Sequence, residues 1–417
     1  MPNPISEKRI LLGVTGSIAA YKAAELASKL HQAGGEVETI LTQSALQFIT
    51  PLTFQSLTGR RAFVDADLWG PAGHVIHIGL AESKDLLVIA PATANTLAKL
   101  AHGQADTLLT ITSLAARCPL LIAPAMDGGM WENPATQANV ETLKTRGARF
   151  TGPVAGHLAS GHRGVGRMTE PGELLNQIRF YFSRGGPLNG HKIVVTAGGT
   201  QEPIDPVRVI TNRSSGKQGY ALAQAALDLG ADVVLITSAE YLPTPVGASV
   251  VPVGGAGEML EAVLETVMDA SVLIMAAAVA DFHPARPSSQ KIKKEAGEPT
   301  IVLERNPDIA QTVGFLKHNH QYRGLTVGFA AESEDLLKNA AAKLVSKKLD
   351  MIVANDISEA GSGFGGDTNR VTMLFPDGKQ HPLPLMGKDA VAEHVLMEIV
   401  KLLKIEDSYT FNRSPSK

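Results

Sequence analysis

The stretch GHLASGHRGVGRM, residues 156–168, gathers glycines and polar side chains in a proportion that a packed helix or strand would not tolerate. Its hydroxyl and imidazole groups belong to Ser160, His157 and His162. Such groups can bind an anion or carry a proton, so three interpretations are open: a surface loop, a cradle for a phosphate, and a flap over a reaction site. The choice among them depends on the chemistry that the rest of the chain supports.

Two loops of the first half place small or polar residues directly after apolar runs. In GVTGSIAAYKA, Gly16 and Ser17 fall where a strand turns into a helix, so backbone amides and a hydroxyl can meet a phosphate there. The segment matches neither the G-x-G-x-x-G fingerprint nor a Walker loop, and a tight turn that needs small residues is an equally good interpretation. In APATANTLAK, Thr93 and Asn95 can bind a ligand or cap a helix.

Charged residues of the second half cluster in two places. In AAAVADFHPARPSSQKIKK, Asp281 follows a buried run, while Lys291 and Lys293 are two apart and project to one side of an extended segment. Lys343 and Lys347 are spaced to lie on one face of a helix. These lysines suit a triphosphate, and a solvated surface is the alternative.

A glycine-rich segment, TAGGTQEPIDPVRVITNRSSGKQG, precedes the first helical pattern of the second half. Its end is not a Walker loop, because the first glycine is missing and Gln218 follows the lysine. A capped helix start at Ser214 and Ser215 is the simpler interpretation.

All of these groups need elements to position them, and the sequence alternates short apolar runs with longer helical patterns. The runs are RILLGVTG, EVETILTQ, DLLVIAPAT and PLLIAPAM, then KIVVTAGGT, DVVLITS, VLIMAAAVAD, TVGFAAE and DMIVAND. This pattern predicts an α/β protein with two doubly wound, Rossmann-like parallel-sheet domains, and ligands at the carboxyl ends of the strands. Between the halves, SRGGPLNG (residues 183–190) is expected to leave nothing to pack and is the predicted linker.

Composition excludes several classes of function. A net charge of −3 over 417 residues gives no basic surface for nucleic acid, which indicates small-molecule partners. One cysteine, Cys118, excludes an intramolecular disulfide and a cysteine-based zinc site, and we expect it to be a small core side chain. The amino end lacks a signal-peptide pattern, and the apolar runs are shorter than the roughly 20 residues of a membrane-spanning helix. We therefore expect a cytoplasmic protein with no membrane partner.

The stretches HIGLAESKDLLVIAPATANTLAK and PAMDGGMWENPATQAN, with the second-half motifs, resemble the flavin-dependent cysteine decarboxylases and their bifunctional members in coenzyme A biosynthesis. In those members phosphopantothenoylcysteine decarboxylase is fused to phosphopantothenate–cysteine ligase, and the resemblance covers nearly the whole chain. It implies a flavodoxin-like, FMN-dependent decarboxylase domain at residues 1–187 and a CTP-dependent ligase domain at residues 188–417. The ligase product is then the decarboxylase substrate.

The resemblance assigns the site residues of the first domain. His77 takes the position of the family's catalytic histidine, whereas the neighbouring His74 does not, and Met130 contacts the substrate. Flavin would accept a hydride from the thiol-bearing carbon so that CO₂ can leave, and the returning hydride then needs a proton from an acid on a flap. The residues expected to bind FMN are Gly16, Ser17, Thr42, Ser44, Thr93, Asn95 and Ala125.

Two departures from the family pattern fall on catalytic positions. A cysteine usually stands where this chain has Ser160, and an asparagine where it has Asp127. A serine hydroxyl is a far weaker acid than a thiol, and an ionised Asp127 would repel the substrate carboxylate. We therefore expect Asp127 to be protonated or to face another group, with Asp127, His157 or His162 as the proton donor. The alternatives are a reaction that stops at the enethiol and an inactive domain.

In the ligase domain the resemblance implies activation of 4'-phosphopantothenate by CTP to an acyl-cytidylate, which the amine of cysteine then attacks. Catalytic roles fall on Asn212, Arg208 and Lys291. Mg²⁺ accompanies the triphosphate, but its ligands cannot be named. The other residues expected at the CTP site are Met275, Ala276, Ala277, Asp281, Pro307, Asp308, Ile309, Ala310, Phe329, Lys343 and Lys347.

Homo-oligomers are also implied, with trimers of flavin domains that share their sites and dimers of ligase domains. A rival interpretation is a regulatory binding protein, because some yeast relatives of the flavin domain bind and inhibit a phosphatase. A complete set of ligase motifs argues against that rival.

Overall fold

A computed structural model describes residues 3–69, 75–293, 300–332, 335–356 and 365–404. The chain divides into two compact units, Pro2–Phe182 and Ser183–Lys417, called here the first and second units. None of the helices in the described ranges combines the length and the hydropathy that a membrane crossing requires.

The first unit is a six-stranded sheet with helices on both faces. All of its strand pairs are parallel, in the order β3-β2-β1-β4-β5-β6. The strands are β1 Arg9–Val14, β2 Glu36–Leu41, β3 Ala62–Val64, β4 Leu86–Ala92, β5 Leu120–Pro124 and β6 Arg149–Phe150, followed by a separate antiparallel hairpin of β7 Val154–His157 and β8 Arg163–Arg167. The helices are α1 Ala20–Gln32, α2 Pro51–Thr58, α3 Ile76–Glu82, α4 Ala94–His102, α5 Leu108–Ala115, α6 Gly128–Glu132, α7 Pro134–Thr145 and α8 Pro171–Ser183.

Alternation along β1 explains the two covered faces. Ile10 and Leu12 join an apolar cluster with α1 and α8, whereas Leu11 joins a cluster on the other face with α4, α5 and α7. Successive side chains of a strand point to opposite faces, so a strand with no polar alternation is buried on both.

The second unit repeats this strand order and extends it. Strands β13-β12-β9-β14-β17-β18 are parallel, and β20 and β21 continue the sheet antiparallel. The strands are β9 Lys192–Ala197, β10 Gln201–Pro203, β11 Val209–Thr211, β12 Asp232–Thr237, β13 Ser249–Pro252, β14 Val272–Met275, β15 Phe282–Pro284, β16 Leu303–Arg305, β17 Leu325–Glu332, β18 Met351–Asp356, β19 Thr368–Asn369, β20 Val371–Leu374, β21 Gln380–Pro382 and β22 Met386–Gly387. The helices are α9 Lys217–Asp228, α10 Ala256–Val267, α11 Ile309–His318, α12 Leu336–Ser346 and α13 Lys388–Leu402.

Both sheets therefore confirm the expected Rossmann-like architecture. The order 3-2-1-4-5-6 is that of the Rossmann fold, and in the first unit it differs from the order 2-1-3-4-5 of flavodoxin. In either order, ligands bind beyond the carboxyl ends of the strands, where the chain crosses from one side of the sheet to the other.

The segment between the halves is packed, which corrects the expectation that nothing there could pack. Leu188 is completely buried, and its N–H donates to the carbonyl of Leu229 at 2.8 Å. Gly186 lies so close that an added Cβ would be 2.4 Å from the same carbonyl oxygen. Glycine at this position therefore permits close backbone packing within the second unit rather than a flexible connection.

Cys118 precedes β5, is partly exposed and packs against the apolar cluster of one sheet face. Burial raises the pKa of its thiol, as expected for a small apolar side chain rather than a reactive one.

Candidate active sites

A cavity of about 420 Å³ opens at the carboxyl edge of the first sheet. Its walls come from the turn before α1, the start of α4, the loop after β5 and the β7–β8 hairpin. It collects, from the residues predicted for the first domain, Gly16, Ser17, Thr93, Ala125, Asp127, Met130 and Ser160.

The turn before α1 brings Gly16 and Ser17, which were expected to bind a phosphate, to the wall of this cavity. Gly16 packs so closely on the neighbouring loop that a Cβ would lie 2.4 Å from the Cβ of Ser44. Helix α1 begins at Ala20, and several amides at its start already have acceptors. Ser17 Oγ accepts from the N–H of Ala19 at 3.2 Å, and the N–H groups of Ala20 and Lys22 donate to the carbonyls of Ser17 and Ala19.

The remaining residues predicted at the flavin have structural roles or lie outside the cavity. Thr93 caps α4 by accepting from the N–H of Thr96, although it also lines the cavity. Thr42 accepts from the N–H of Ala45 at 3.3 Å. Neither Thr42, Ser44 nor the exposed Asn95 is a lining residue.

The β7–β8 hairpin covers the cavity, because His157 and Ser160 both line it. Of the three interpretations open for this segment, the geometry favours a flap. Its outgoing strand is anchored to the loop after β5: the N–H of Met126 donates to the carbonyl of Gly166 at 2.9 Å. The approach is so close that a Cβ on Gly166 would lie 2.2 Å from the carbonyl oxygen of Met126.

The two unusual residues of the flap region contact each other. Ser160 Oγ donates to Asp127 Oδ2 at 2.6 Å, and the N–H of Gly129 donates to Asp127 Oδ1 at 3.1 Å. The Ser160 hydroxyl, the Gly129 N–H and the charge of His162 together lower the pKa of Asp127. Asp127 is therefore ionised at neutral pH, which corrects the protonated alternative; it instead faces another group, Ser160.

The two histidines of the flap, His157 and His162, have different surroundings. His157 Nε2 accepts a hydrogen bond from Arg163 Nε at 3.1 Å, so that nitrogen carries no proton to donate. His162 is exposed and, unlike His157, is not a lining residue of the cavity, although its charge contributes to lowering the pKa of Asp127.

Lys22 is a cavity residue that the sequence did not reveal. It lies on α1, its side chain is 5% exposed, and its ammonium donates to the carbonyl of Met168 and to Glu170. It thus ties the end of the flap to the helix whose amino end faces the cavity. A lysine on an amphipathic helix ordinarily indicates a solvated face, so no sequence signal identified it.

His77 lies on α3, half-buried, and does not line the cavity of its own unit. His74, which was not expected to act, lies outside the described residues.

A second cavity, of about 840 Å³, opens at the carboxyl edge of the second sheet. It brings together almost all the residues predicted for the ligase domain, namely Asn212, Met275, Ala276, Ala277, Asp281, Pro307, Asp308, Ile309, Ala310, Phe329, Lys343 and Lys347. Arg208 and Lys291 do not line it.

The amino end of α9 points into this cavity. Gly216 precedes the helix with φ +72°, a left-handed conformation that favours glycine, and Ser214, Ser215 and Gly216 all line the cavity. No side chain caps α9 within the described ranges, so the capped-start interpretation of the serines is wrong. Ser214 Oγ instead accepts from the N–H of Gly216, the residue before the helix, at 3.4 Å, and Gln218 and Gly219 of the first turn line the cavity.

Asn212 is fixed by its amide. Its Nδ2 donates to the carbonyls of Ala278 and Val279, at 3.3 and 3.0 Å, in the loop after β14. These two hydrogen bonds hold the side chain against the cavity wall and restrict its rotation.

Charges in the cavity are mostly positive. Arg305, Lys343, Lys347 and Lys388 line it together with Asp281 and Asp308, a balance that suits a polyanion. Asp308 caps α11 through the N–H of Gln311 and pairs with Lys347 at 3.0 Å. Although burial opposes it, these contacts lower the pKa of Asp308.

An amide network in the deep part of the cavity was missed from sequence. Asn369 Nδ2 donates to Gln218 Oε1 at 2.8 Å, and Gln218 Nε2 donates to the carbonyl of Lys388 at 3.0 Å. Its members are far apart in the chain, so no local spacing could indicate it.

Comparison with known proteins places this architecture in a family. A family model described as "Flavoprotein" matches residues 2–182, and one described as "DNA/pantothenate metabolism flavoprotein C-terminal domain" matches residues 188–403. The coenzyme A biosynthesis bifunctional protein CoaBC of Bacillus subtilis is 44% identical over 403 residues, which cover 96% of this chain and 98% of the relative. The chain belongs to this family of bifunctional coenzyme A biosynthesis proteins.

The CoaBC of Vibrio cholerae is 46% identical over 396 residues, covering 94% of this chain and 98% of the relative. A solved C-terminal domain of a CoaBC is 39% identical, covers 53% of this chain and all of that domain, and has a TM-score of 0.44. As a CoaBC family member the chain is a flavoprotein enzyme with phosphopantothenoylcysteine decarboxylase and phosphopantothenate–cysteine ligase activities. The expected family and enzyme class are confirmed.

Proposed function

We propose that the second unit couples 4'-phosphopantothenate to cysteine at the expense of CTP, and that the first unit decarboxylates the product with FMN to 4'-phosphopantetheine. The observation that carries the proposal is the convergence of the predicted CTP-site residues on one cavity, with four cationic side chains around it. The corresponding domains are residues 1–187 and 188–417.

In the ligase half, a carboxylate oxygen of phosphopantothenate attacks the α-phosphorus of CTP and pyrophosphate leaves. The cysteine amine then attacks the acyl-cytidylate, with loss of CMP and a proton. Lys343, Lys347 and the amides at the start of α9 stabilise the charge on the phosphates. Asn212, held on the cavity wall, binds the acyl intermediate.

Mg²⁺ enters with the triphosphate. No cluster of three or more His, Cys, Asp or Glu able to hold a metal is present in the described ranges. Magnesium commonly binds through substrate phosphates and only one or two carboxylates. Asp281 is the cavity carboxylate left for it, because Asp308 already pairs with Lys347.

The first cavity fits FMN. The turn of Gly16 and Ser17 before α1 would receive the phosphate, and Thr93 and Ala125 would line the cofactor. Bound flavin supplies hydride acceptance and return at the thiol-bearing carbon. The chain's residues do the rest: Met130 contacts substrate, the flap excludes water, and His162 delivers the proton.

The cavity mouth is apolar and open: Ile18, Tyr21 and Met130 line it and are 60%, 61% and 50% exposed. We infer that trimers of the first unit cover this mouth and that His77 acts in the cavity of a neighbouring copy, while ligase units pair as dimers. The enzyme works in the cytoplasm.

The test of the overall reaction uses the purified protein under anaerobic conditions. With phosphopantothenate, cysteine and each nucleoside triphosphate in turn, CTP should give CMP and pyrophosphate in equal amounts with the ligated product. With phosphopantothenoylcysteine, mass spectrometry should find loss of CO₂ alone. Ligation with ATP equal to that with CTP would contradict the nucleotide assignment.

One observation favours a second candidate function. Ser160 donates a hydrogen bond to an ionised Asp127, so neither group is an acid in this geometry. If no other acid acts, the reaction ends at the enethiol, and the same mass spectrum would find loss of CO₂ and two hydrogens.

The shared site has its own test. His77→Asn and a variant with a damaged flap, Gly166→Ala, are each expected to be inactive as decarboxylases. In equal, co-refolded mixtures, a cavity is intact when its own chain has the wild-type flap and the neighbouring chain has His77. Random assortment should therefore restore roughly a quarter of the wild-type sites. Mixtures that stay inactive would place His77 in its own cavity. His102→Asn, an exposed histidine on α4, is the matched control.

A further inference from the structure

Asp205 is a buried carboxylate to which no role above has been assigned. It lies in the turn between β10 and β11, and its side chain is completely inaccessible to solvent. Its two oxygens accept five hydrogen bonds. A carboxylate so buried is retained only where its partners are held firmly.

The hydrogen bonds connect two separate segments. Oδ1 accepts from the N–H groups of Val207 and Arg208, which closes the turn. Oδ2 accepts from Arg208 Nε at 2.9 Å and Nη2 at 2.5 Å, and from the N–H of Ile292 at 3.1 Å. Arg208 Nη2 also donates to the carbonyl of Ile292 at 2.9 Å. Both backbone polar groups of Ile292 are thus bound by the Asp205–Arg208 pair.

Ile292 lies between Lys291 and Lys293, the lysines predicted to meet a triphosphate. With its N–H and carbonyl both fixed, the backbone that carries these lysines has little freedom, and a further bond, from the N–H of Ser288 to the carbonyl of Ile204, holds the same loop. The loop connects β15 to β16, and Asp281 and Arg305, at the base of this hairpin, line the cavity.

On the other side, the turn that contains Asp205 leads through β11 to Asn212 on the cavity wall. The Asp205–Arg208 pair therefore sets the separation between the segment of Asn212 and the segment of Lys291. The guanidinium fork suits this task, because one planar group reaches a carboxylate and a carbonyl together.

We propose that Asp205 is a positioning residue for ligation, which acts through Arg208 and Ile292 to hold the Lys291–Lys293 segment in register with Asn212. The proposal rests on the proposed CTP-dependent ligation. It assigns Arg208 to the same clamp, which explains why Arg208 does not line the cavity.

The experiment compares Asp205→Asn and Arg208→Lys with a control, Asp269→Asn, in full-length protein. Asp269 is an exposed carboxylate paired with Lys192 at the amino end of β9, the edge of the sheet opposite to the cavity. Asparagine keeps the shape of Asp205 and removes its charge, and lysine keeps the charge of Arg208 but not its fork.

In Asp205→Asn the KM for CTP should rise roughly tenfold or more, which is the effect of losing about one hydrogen bond to a charged group, with the KM for cysteine unchanged. Trypsin should cut after Lys291 and Lys293 faster by a similar factor. Arg208→Lys should shift both readouts in the same direction and by less. Decarboxylation of supplied phosphopantothenoylcysteine should stay at the wild-type rate in all variants.

A merely structural Asp205 would lower kcat in proportion to the unfolded fraction and leave both KM values unchanged, and that result would overturn the proposal. Equal trypsin rates in Asp205→Asn and Asp269→Asn would also overturn it. If the wild type does not ligate with CTP, the proposed function fails, but the trypsin comparison still decides whether Asp205 holds the lysine segment.

Discussion

The flap of the first unit and the β10–β11 hairpin of the second are both antiparallel additions at the carboxyl edge of a Rossmann-type sheet, but different contacts hold them. The flap tip is held by an exposed pair, Ser160 and Asp127, and the hairpin turn by the buried carboxylate of Asp205, which pairs with the half-exposed Arg208. Exposed polar pairs contribute little because water competes for both partners, whereas a buried carboxylate cannot lose its partners without penalty. We therefore expect the tip of the flap to open more readily than the hairpin turn.

The largest effect should come from the flap's backbone anchor. Gly166→Ala places a Cβ 2.2 Å from the carbonyl oxygen of Met126, so the outgoing strand must move away from the cavity. Decarboxylation should fall roughly a hundredfold, as expected when catalytic groups are displaced by about 1 Å, with ligation unchanged.

Gly164→Ala is the matched control, because its nearest neighbours would lie at 3.6 and 3.8 Å, which is ordinary contact. Equal losses of decarboxylase activity in the two variants would show that the flap tolerates no side chain at either glycine. That result would contradict a specific role for the contact between Gly166 and Met126.

The corresponding change in the second cavity is Asn212→Ala. It removes the amide that binds the carbonyls of Ala278 and Val279, and we expect ligation to fall about tenfold to a hundredfold in kcat with decarboxylation intact. Product formation in the two half-reactions, measured separately, checks this. Asn319→Ala, at the end of α11, should change neither activity, and a loss there would indicate general destabilisation.

A smaller effect is expected at the exposed hydrogen bond between Ser160 and Asp127, called here the latch. Ser160→Ala removes one hydrogen bond and should slow decarboxylation by about tenfold or less. Ser160→Cys restores the family's thiol: if it raises the ratio of pantetheine to enethiol product in the mass spectrum, proton delivery limits the wild type. An unchanged ratio would mean that another group, such as His162, already supplies the proton.

The smallest effect is the pH dependence of this latch. Because the pKa of Asp127 lies below its ordinary 3.8, the Ser160–Asp127 bond is complete at neutral pH and is lost only as pH falls through that lowered pKa. The ratio of wild-type to Asp127→Asn decarboxylation rates should therefore be flat from about pH 5 to 8. A ratio that falls as pH rises through this range would identify Asp127 as a protonated acid.

Sequence patterns predicted the strands and helices of both units better than they predicted the side-chain contacts within the sites. Apolar runs such as RILLGVTG identified the buried parallel strands, because burial on both faces removes polar alternation. The strand pattern predicted the edge of the sheet at which the second cavity opens, because loops after parallel strands meet there, and the family resemblance supplied most of its residues. The pairing of Gln218 with Asn369 was not predictable, because it depends on tertiary packing between distant segments.

The first cavity was harder to predict for the same physical reason. The role of Lys22 depends on where Met168 and Glu170 lie in space, and the partner of Asp127 depends on how the flap folds back. Residue type and spacing gave the candidates Asp127, Ser160, His157 and His162, but only the contacts separated an acceptor from a donor among them.

The packed junction has a practical consequence for dissecting the chain. Leu188 is buried within the second unit, and the carbonyl of Leu229 accepts its N–H. A ligase fragment that began at His191 would expose that apolar site and leave the carbonyl without its donor. A fragment that begins at Ser183 keeps both contacts. We therefore expect it to be more soluble and easier to crystallise than the fragment that begins at His191.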